Sequence, residues 1–198
     1  DILVIDDAST DETRAIVRAR QRQHDNLRLV EREVKNGLGD AYLHAFGLGL
    51  EEGYEALVEI DADLSHDPAI LPTMLGVAEH GIALVIGSRY IPGGSVIGWP
   101  RRRTWLSRWG NRYVAGMLGL AVNDATAGLR AYSVAALERM DYASVGAEGY
   151  GFQVEMTYRG VRAGLGVVEI PIAFRDRVAG QSKMDGHVVL EAFRLVTA

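Results

Sequence analysis

Three aspartates lie close together in the segment EIDADLSHDP, residues 59–68. Asp61 and Asp63 are separated by one residue and follow the apolar run ALVEI, which is typical of a buried strand. Two carboxylates that leave a strand end in this spacing can both bind one hard divalent cation, such as Mg²⁺ or Mn²⁺. Asp is also common in the turns of solvated loops, so both interpretations stay open on these residues alone. Asp67, next to Pro68, is better explained as a helix-start residue.

Positive charge that could bind phosphate follows two other predicted strands. Arg89 stands in GSRY, directly after the run IALVIG, and Arg177 and Lys183 stand in the segment FRDRVAGQSK at 174–183. A guanidinium can bind phosphate oxygens through two hydrogen bonds, and Lys acts as a point charge. For any one of these residues a surface ion pair is the simpler interpretation.

All three tryptophans lie in the segment GWPRRRTWLSRWGNRY, residues 98–113, interleaved with arginines. Such a mixture on a short helix suits a membrane interface, where indole rings lie at headgroup depth and Arg contacts anionic lipid. Single-stranded nucleic acid is a second interpretation, since bases stack on Trp and phosphates pair with Arg. The third is a helix that packs on the sheet and has a charged outer face.

The elements that would position these residues alternate along the chain. Strands are predicted from apolar runs at residues 2–5, 27–30, 56–60, 82–87 and 166–174. Helices are predicted from an N-cap at Ser9 or Thr10 to about Gln23, over residues 38–52, and over residues 69–80. This alternation predicts βαβ units and an α/β fold with a mainly parallel sheet.

Ligands of such sheets bind beyond the carboxyl ends of the strands. The loops DDAST at 6–10, DADLSHD at 61–67 and GSRY at 87–90 all follow predicted strands. We therefore expect acidic loops and an arginine loop to share one rim of the sheet.

Composition limits the possible functions. The 198 residues, 48% of them hydrophobic, predict one compact domain over 1–198. A net charge of -5 disfavours a nucleic-acid binder, and the absence of cysteine excludes disulfides, thiolate metal sites and cysteine nucleophiles. No stretch approaches the roughly 20 consecutive apolar residues of a membrane-spanning helix. The chain has no initiator Met and opens inside an apolar run, so we expect an N-terminal truncation.

A series of motifs, taken together and in this order, resembles the polyprenol-phosphate (dolichol-phosphate) mannosyltransferases. These enzymes belong to family 2 of the inverting glycosyltransferases. The motifs are DDASTDET (6–13), KNGLG (35–39), DADLSHDP (61–68), GSRYIPGG (87–94), RRRTWLSRWGN (101–111), DATAGLRAY (124–132), GYGFQVEM (149–156) and FRDRVAGQSKM (174–184). The resemblance covers almost the whole chain and implies a GT-A (Rossmann-like) fold with a mainly parallel mixed sheet flanked by helices. The family's first strand would lie upstream of Asp1.

The resemblance also implies roles for individual residues. Those expected to bind the nucleotide sugar are Asp6, Asp7, Gly37 and Gly39 in a neighbouring loop, Asp61, Gln153 and Glu155. Those expected to hold Mg²⁺ or Mn²⁺ are Asp61, Asp63 and Ser65. Those expected at the acceptor phosphate are Arg89, Arg103, Ser107, Arg130, Arg177 and Lys183. Asp63, Arg89 and Arg103 are the expected catalytic residues, whereas His66 has no implied chemistry and is expected to be a partly exposed helix-start residue.

The implied reaction is transfer of mannose from GDP-mannose to a polyprenyl phosphate, with inversion, at the cytoplasmic face of the membrane. The acceptor is a phosphate monoester with a second pKa of about 6, so it is largely dianionic near pH 7 and needs no general base. Residues 99–112 would contact the membrane surface, and nucleic acid is not an expected partner. The alternatives are a glucosyltransferase that uses UDP-glucose, and a non-catalytic module that binds nucleotides or anionic lipid.

Overall fold

The computed structural model describes residues 1–147 and 149–177 of the protein. Lys183, expected at the acceptor phosphate, lies outside the described residues. The chain divides into two compact units, one formed by residues 1–53 and the other beginning at residue 54. The expectation of one domain over residues 1–198 stays a prediction.

The first unit consists of two strands and two helices in alternation. In chain order they are β1 (Ile2–Asp7), α1 (Thr13–Gln21), β2 (Leu27–Arg32) and α2 (Leu38–Glu51). Strands β1 and β2 are parallel, with Ile2 opposite Leu27 and Asp7 opposite Arg32. The strands and helices predicted for this part of the chain are therefore confirmed.

Two details of the first unit differ from the prediction. Helix α1 begins at Thr13, so its N-cap position is Glu12 and neither Ser9 nor Thr10 caps it. The Ser9 N–H donates to the Asp6 carboxylate. Gly39 lies in the first turn of α2 rather than in a loop. Only Gly37 belongs to the preceding loop, and its φ of 96° is a conformation that favours glycine.

The second unit contains the remaining elements. They are β3 (Ala56–Glu59), α3 (Leu71–Glu79), β4 (Leu84–Ser88), β5 (Ser95–Ile97), α4 (Arg101–Leu118), β6 (Arg130–Ser133), α5 (Val134–Arg139), α6 (Gly149–Arg162), β7 (Val167–Pro171) and β8 (Ala173–Arg175). A single 3₁₀ turn, Pro68–Ile70, leads into α3, and the Asp67 carboxylate accepts the N–H of Ala69 there at 3.0 Å. The expected helix-start role of Asp67 is thus confirmed.

The sheet of the second unit has the strand order β3-β6-β4-β7. Strand β6 is antiparallel to β3 and β4, β4 and β7 are parallel, and β5 and β8 form a separate parallel pair. Among the described residues, three of the five strand pairings are parallel, although two of the three within this four-stranded sheet are antiparallel. The expected α/β fold with a mixed sheet flanked by helices is confirmed.

Strand β4 is the buried centre of this sheet, since all five of its residues are buried. Met74 and Ala78, one turn apart on α3, pack with Val85 of β4 and with Ala131 of β6. Because β4 is buried and hydrogen-bonded to β6 on one edge and to β7 on the other, it anchors the chain that leaves its carboxyl end after Ser88. Arg89 is the first residue of that exit.

Candidate active site

The Asp61 and Asp63 carboxylates follow the buried end of β3, and their side chains are 29% and 23% exposed. Leu64 adopts a φ of 63°, and this tight turn lets the Ser65 N–H donate to Asp63 Oδ1 at 3.0 Å. On the other side of the motif, a Cβ placed on Gly128 would lie 3.2 Å from Asp61 Oδ2. The glycine therefore leaves space for the Asp61 carboxylate.

The oxygen atoms of this motif suit a hard divalent cation. Asp61 and Asp63 supply carboxylate oxygens, and Ser65 Oγ is buried without a hydrogen-bond partner among the described residues. Within residues 1–147 and 149–177, no group of three or more His, Asp or Glu side chains converges on one point. The fit to Mg²⁺ or Mn²⁺ therefore rests on the two carboxylates and the Ser65 hydroxyl alone, with remaining positions left to water and substrate phosphates, and the ligand roles stay predictions.

Arg177 contacts the motif directly, because its Nε lies 2.7 Å from Asp63 Oδ2. Burial raises the pKa of Asp63, but the hydrogen bonds from Ser65 and the charge of Arg177 outweigh it, so the pKa lies below its usual value. Asp63 is therefore an ionised carboxylate that already holds a cation of the protein.

Arg89 is held by a buried carboxylate that the sequence analysis did not assign. Its Nε and Nη2 donate to the two oxygens of Asp124 at 2.7 and 2.6 Å, and its backbone N–H donates to Oδ2 at 2.9 Å. Nη2 also donates to Thr126 Oγ1 at 3.0 Å. Arg89 is only 6% exposed and Asp124 is fully buried. The predicted phosphate contact of Arg89 stays a prediction, and any such contact would have to share this guanidinium with Asp124.

Aromatic side chains surround the Arg89 guanidinium. Its Cζ lies 5.0 Å from the ring centroid of Tyr90, 5.7 Å from that of Trp99 and 5.4 Å from that of Phe174. The Phe174 ring also lies 5.3 Å from the His66 ring. The loops after β3 and β4, which we expected on one rim, are therefore joined through Phe174.

Arg103 and Ser107 lie on α4, and both have partners inside the second unit. Ser107 Oγ accepts a hydrogen bond from the Tyr90 hydroxyl at 2.7 Å. Arg103 stacks 3.8 Å from the Trp99 ring centroid, and its Nη1 lies 3.4 Å from Asp176 Oδ1. The same Asp176 oxygen accepts the Trp99 indole N–H at 3.1 Å. Asp176 directly precedes Arg177, so Arg103 and the motif of Asp61 and Asp63 are connected by contacts, while the acceptor-phosphate role of Arg103 and Ser107 stays a prediction.

Arg130 occupies a different environment from the one predicted. Its guanidinium is fully buried and donates to the carbonyls of Ala125, Ala127 and Gln153 and to Thr157 Oγ1. The side chain has no exposed surface in this conformation, and the role expected for Arg130 at the acceptor phosphate stays a prediction. Gln153, the predicted sugar contact, is likewise only 2% exposed.

Glu59 is the carboxylate nearest to Arg130, at 3.6 Å, and it accepts the Tyr132 hydroxyl at 3.3 Å. Burial raises the pKa of Glu59 to about 8, although the charge of Arg130 opposes that shift. These buried polar groups lie beneath the motif, because Glu59 ends β3 two residues before Asp61.

Glu155, the other predicted sugar contact, is bound within its own helix. Its Oε1 accepts from Arg159 Nε at 2.8 Å, and Oε2 accepts the Ala147 N–H at 3.0 Å. This pairing anchors the chain before α6 to the helix. A sugar contact by Glu155 is not supported by these hydrogen bonds and stays a prediction.

Asp6 and Asp7, the acidic pair of the first unit, also accept hydrogen bonds. The Asp6 side chain is 1% exposed and accepts from Arg14 Nε at 2.5 Å. Burial alone would raise the pKa of Asp6. The hydrogen bonds from Ser9 and Arg14 lower that pKa by more, so it lies below its usual value. Asp7 accepts the Gly37 N–H at 3.2 Å, which places the predicted loop beside it. The nucleotide roles of Asp6 and Asp7 stay predictions.

Helix α4 exposes large aromatic and basic side chains. Trp105 is 66% exposed and Trp109 is 46% exposed, and exposed arginines lie on the same helix at Arg101, Arg102, Arg108 and Arg112. No helix in the described ranges, 1–147 and 149–177, has the length and apolar character needed to span a membrane.

Comparison with protein-family models shows the family of the chain. The model described as "Glycosyl transferase family 2" matches residues 1–141. The chain belongs to glycosyl transferase family 2. The expected enzyme class, a glycosyltransferase, is therefore confirmed.

Two curated relatives extend over most or all of this glycosyltransferase. The undecaprenyl-phosphate mannosyltransferase of Micrococcus luteus is 46% identical over 197 residues, which is 100% of this chain and 81% of that protein. The polyprenol monophosphomannose synthase of Mycolicibacterium smegmatis is 45% identical over 192 residues, covering 96% of this chain and 72% of that protein. The resemblance inferred from the motifs is confirmed.

Solved structures similar to this glycosyltransferase include the glucosyl-3-phosphoglycerate synthase of Mycobacterium tuberculosis. Its complex with phosphoglyceric acid has a TM-score of 0.69 at 22% identity and covers 99% of this chain and 67% of that one. Its complex with Mn²⁺, UDP-glucose and phosphoglyceric acid has a TM-score of 0.67 at 22% identity, with 98% and 68% covered. At this identity the likeness concerns the fold, and the GT-A fold is confirmed.

Sequence analysis of this glycosyltransferase missed the two carboxylates that hold the arginines. Asp124 begins the motif DATAGLRAY, so its presence in a motif was a signal, but no residue spacing indicates that it pairs with Arg89. Asp176 pairs with Arg103 across 73 positions, and the sequence contains no signal for that contact.

Proposed function

We propose that this glycosyltransferase transfers mannose from GDP-mannose to a polyprenyl phosphate, with inversion, and that Asp61, Asp63 and Ser65 hold Mg²⁺ or Mn²⁺. The observation that carries the proposal is the series of contacts Asp63–Arg177 and Asp176–Arg103. It joins a pair of carboxylates suited to a cation with guanidinium groups suited to phosphate. The names of the two curated relatives support mannose as the sugar and a polyprenyl phosphate as the acceptor.

In this reaction an oxygen of the acceptor phosphate attacks the anomeric carbon of mannose. The bond from that carbon to the diphosphate breaks, and its electron pair leaves with GDP. The divalent ion, when bound, neutralises charge that develops on the leaving diphosphate. Arg103 positions the acceptor phosphate and reduces the repulsion between the two phosphate groups. Since the acceptor is already dianionic near pH 7, with a second pKa of about 6, no residue has to remove a proton from it.

The acceptor is a lipid, so the enzyme has to meet a membrane surface. We place this contact at residues 99–112, at the cytoplasmic face. The exposed Trp105 and Trp109 suit the headgroup region, and the exposed arginines of the same helix suit anionic lipid. Trp99 lies at the start of this segment and contacts Arg103, so the surface residues adjoin the residue proposed to bind the acceptor phosphate.

The test measures transfer with labelled GDP-mannose or UDP-glucose and polyprenyl phosphate, with Mn²⁺ or with EDTA. We expect a lipid product from GDP-mannose only, with an inverted anomeric configuration, and none in EDTA. Asp63→Asn should reduce turnover by at least about a hundredfold, as expected when a group that stabilises transition-state charge is lost. Asp67→Asn is the matched control, because Asp67 is exposed and its carboxylate accepts the backbone N–H of Ala69 in its own turn.

Three results would contradict the proposal. A lipid product from UDP-glucose alone would make the enzyme a glucosyltransferase. Nucleotide binding without turnover under any donor and acceptor pairing would make the chain a non-catalytic module. Full turnover in EDTA would show that the reaction does not require a divalent metal.

A further inference from the structure

His66 is buried beside the metal motif, in contrast to the partial exposure expected from the sequence. Its side chain is 2% exposed, and neither ring nitrogen has a hydrogen-bond partner among the described residues. Burying a polar group without a hydrogen-bond partner destabilises a protein. An apolar ring in this position would fill the same space without burying two unpaired nitrogen atoms. The presence of an imidazole therefore requires an explanation.

The ring is fixed in an orientation that relates it to Asp61. His66 packs edge to face on Phe174, with ring centroids 5.3 Å apart and planes inclined by 78°. Its Nε2 lies 3.8 Å from Asp61 Oδ2, slightly beyond hydrogen-bond distance. A small rotation of the Asp61 carboxylate would close this gap without moving the imidazole.

Asp61 lacks the support that its neighbour has. Asp63 accepts the Ser65 N–H and pairs with Arg177, whereas no described residue donates a hydrogen bond to Asp61 within normal distance. Gly128 lies beside the carboxylate and leaves it space, as a Cβ there would lie 3.2 Å from Oδ2. Within the described chain, His66 is therefore the side chain placed to orient Asp61.

We propose that His66 is a positioning residue for the divalent cation. Its Nε2–H donates to Asp61 Oδ2 and thereby turns the carboxylate toward the ion. Carboxylates that bind metals are commonly held by such a donor, and its loss typically lowers metal affinity about 10–100-fold. This inference rests on the metal site of the proposed function, and it concerns the residue that holds a ligand rather than a ligand itself.

The experiment compares three substitutions that separate hydrogen bonding from packing. His66→Gln places an amide N–H near the position of Nε2, His66→Asn places one near Nδ1, and His66→Phe retains a ring against Phe174 without nitrogen. Binding of Mn²⁺ to the full chain in the presence of GDP is measured from the electron paramagnetic resonance signal of free Mn²⁺. Thermal unfolding in EDTA reports whether each variant is folded.

We expect His66→Phe and His66→Asn to bind Mn²⁺ about tenfold or more weakly, and His66→Gln to remain within about threefold of the original protein. Equal Mn²⁺ affinity of all folded variants would overturn the proposal, as would Asn restoring affinity while Gln does not. If His66→Phe fails to fold, the comparison of Gln with Asn still decides. The readout is independent of sugar transfer, so a chain that binds Mn²⁺ in the expected pattern but makes no lipid product refutes the proposed function alone.

Discussion

Arg130 shows how strongly the interior of the second unit depends on one charged side chain. Its four hydrogen bonds satisfy three backbone carbonyls and Thr157 Oγ1, all within the core beneath the motif. A buried cation is tolerated only where such partners are complete. The residue therefore supports the loop before β6 and the helix α6 at the same time.

We expect Arg130→Met to destabilise the protein by about 3–5 kcal/mol, because it leaves three buried carbonyls without donors. Urea unfolding measures the change. Arg102→Met makes the same chemical change on an exposed residue of α4, and it should alter stability by no more than about 0.5 kcal/mol. Similar losses in both variants would show that the buried network does not stabilise the fold.

Asp124 has a comparable role for Arg89. Asp124→Asn retains the shape of the side chain but removes the charge that two guanidinium donors face, so Arg89 becomes a buried cation without a counter-charge. We expect a loss of about 3 kcal/mol in thermal or urea unfolding. Asp25→Asn, at an exposed position, is the control and should be neutral. An unchanged Asp124→Asn variant would mean that the pair contributes no net stability.

Local sequence could identify candidate functional residues, but it could not identify the side chains that contact them in the folded protein. The spacing of Asp61 and Asp63 after an apolar run placed them correctly at a strand end, because a strand ends where its apolar pattern ends. The pairing of Arg89 with Asp124 joins positions 35 residues apart, and only the folded sheet brings them together. The burial of His66 follows from packing on Phe174, which lies far later in the chain.

Among the elements, prediction succeeded where a strand has an apolar run and failed where it does not. Strands β1 to β4 were predicted from such runs. Strand β6 was missed because its fully buried residues include Arg130, whose charge breaks the pattern. Strands β5 and β8 have only three residues each, too few for a recognisable period. The run 166–174 was predicted as one strand, but β7 ends at Pro171, and Ile172 then bonds to both Ser88 and Ser95.

Helix α4 is the element on which the membrane contact can be tested. We expect Trp105→Ala to weaken binding to vesicles of anionic phospholipid by about tenfold or more, since burial of a large apolar side chain contributes about 1.5–3 kcal/mol. Ile16→Ala on α1 is the control, because Ile16 is also an exposed apolar residue, at 58%. Equal co-sedimentation of both variants would exclude Trp105 from the membrane surface.

For the molecule as a whole, ligand binding should increase the free energy of unfolding. A ligand that binds only the folded chain at 100 times its dissociation constant adds about 2.7 kcal/mol. We therefore expect Mn²⁺ with GDP to raise the unfolding temperature, and EDTA to reverse the increase. Asp63→Asn should abolish the Mn²⁺-dependent part and Asp67→Asn should keep it. An increase that is equal with and without EDTA would place the nucleotide, but no metal, in the site.

The ion pair between Asp63 and Arg177 has a further consequence under the proposed function. A divalent cation arriving at Asp63 finds a cation already there, so its uptake is an ion exchange rather than the filling of a bare anionic site. The displaced guanidinium stays tethered to the chain next to Asp176, within the same neighbourhood as Arg103. One exchange thus delivers two cationic groups in place of one, at the moment when two phosphate groups must be brought together.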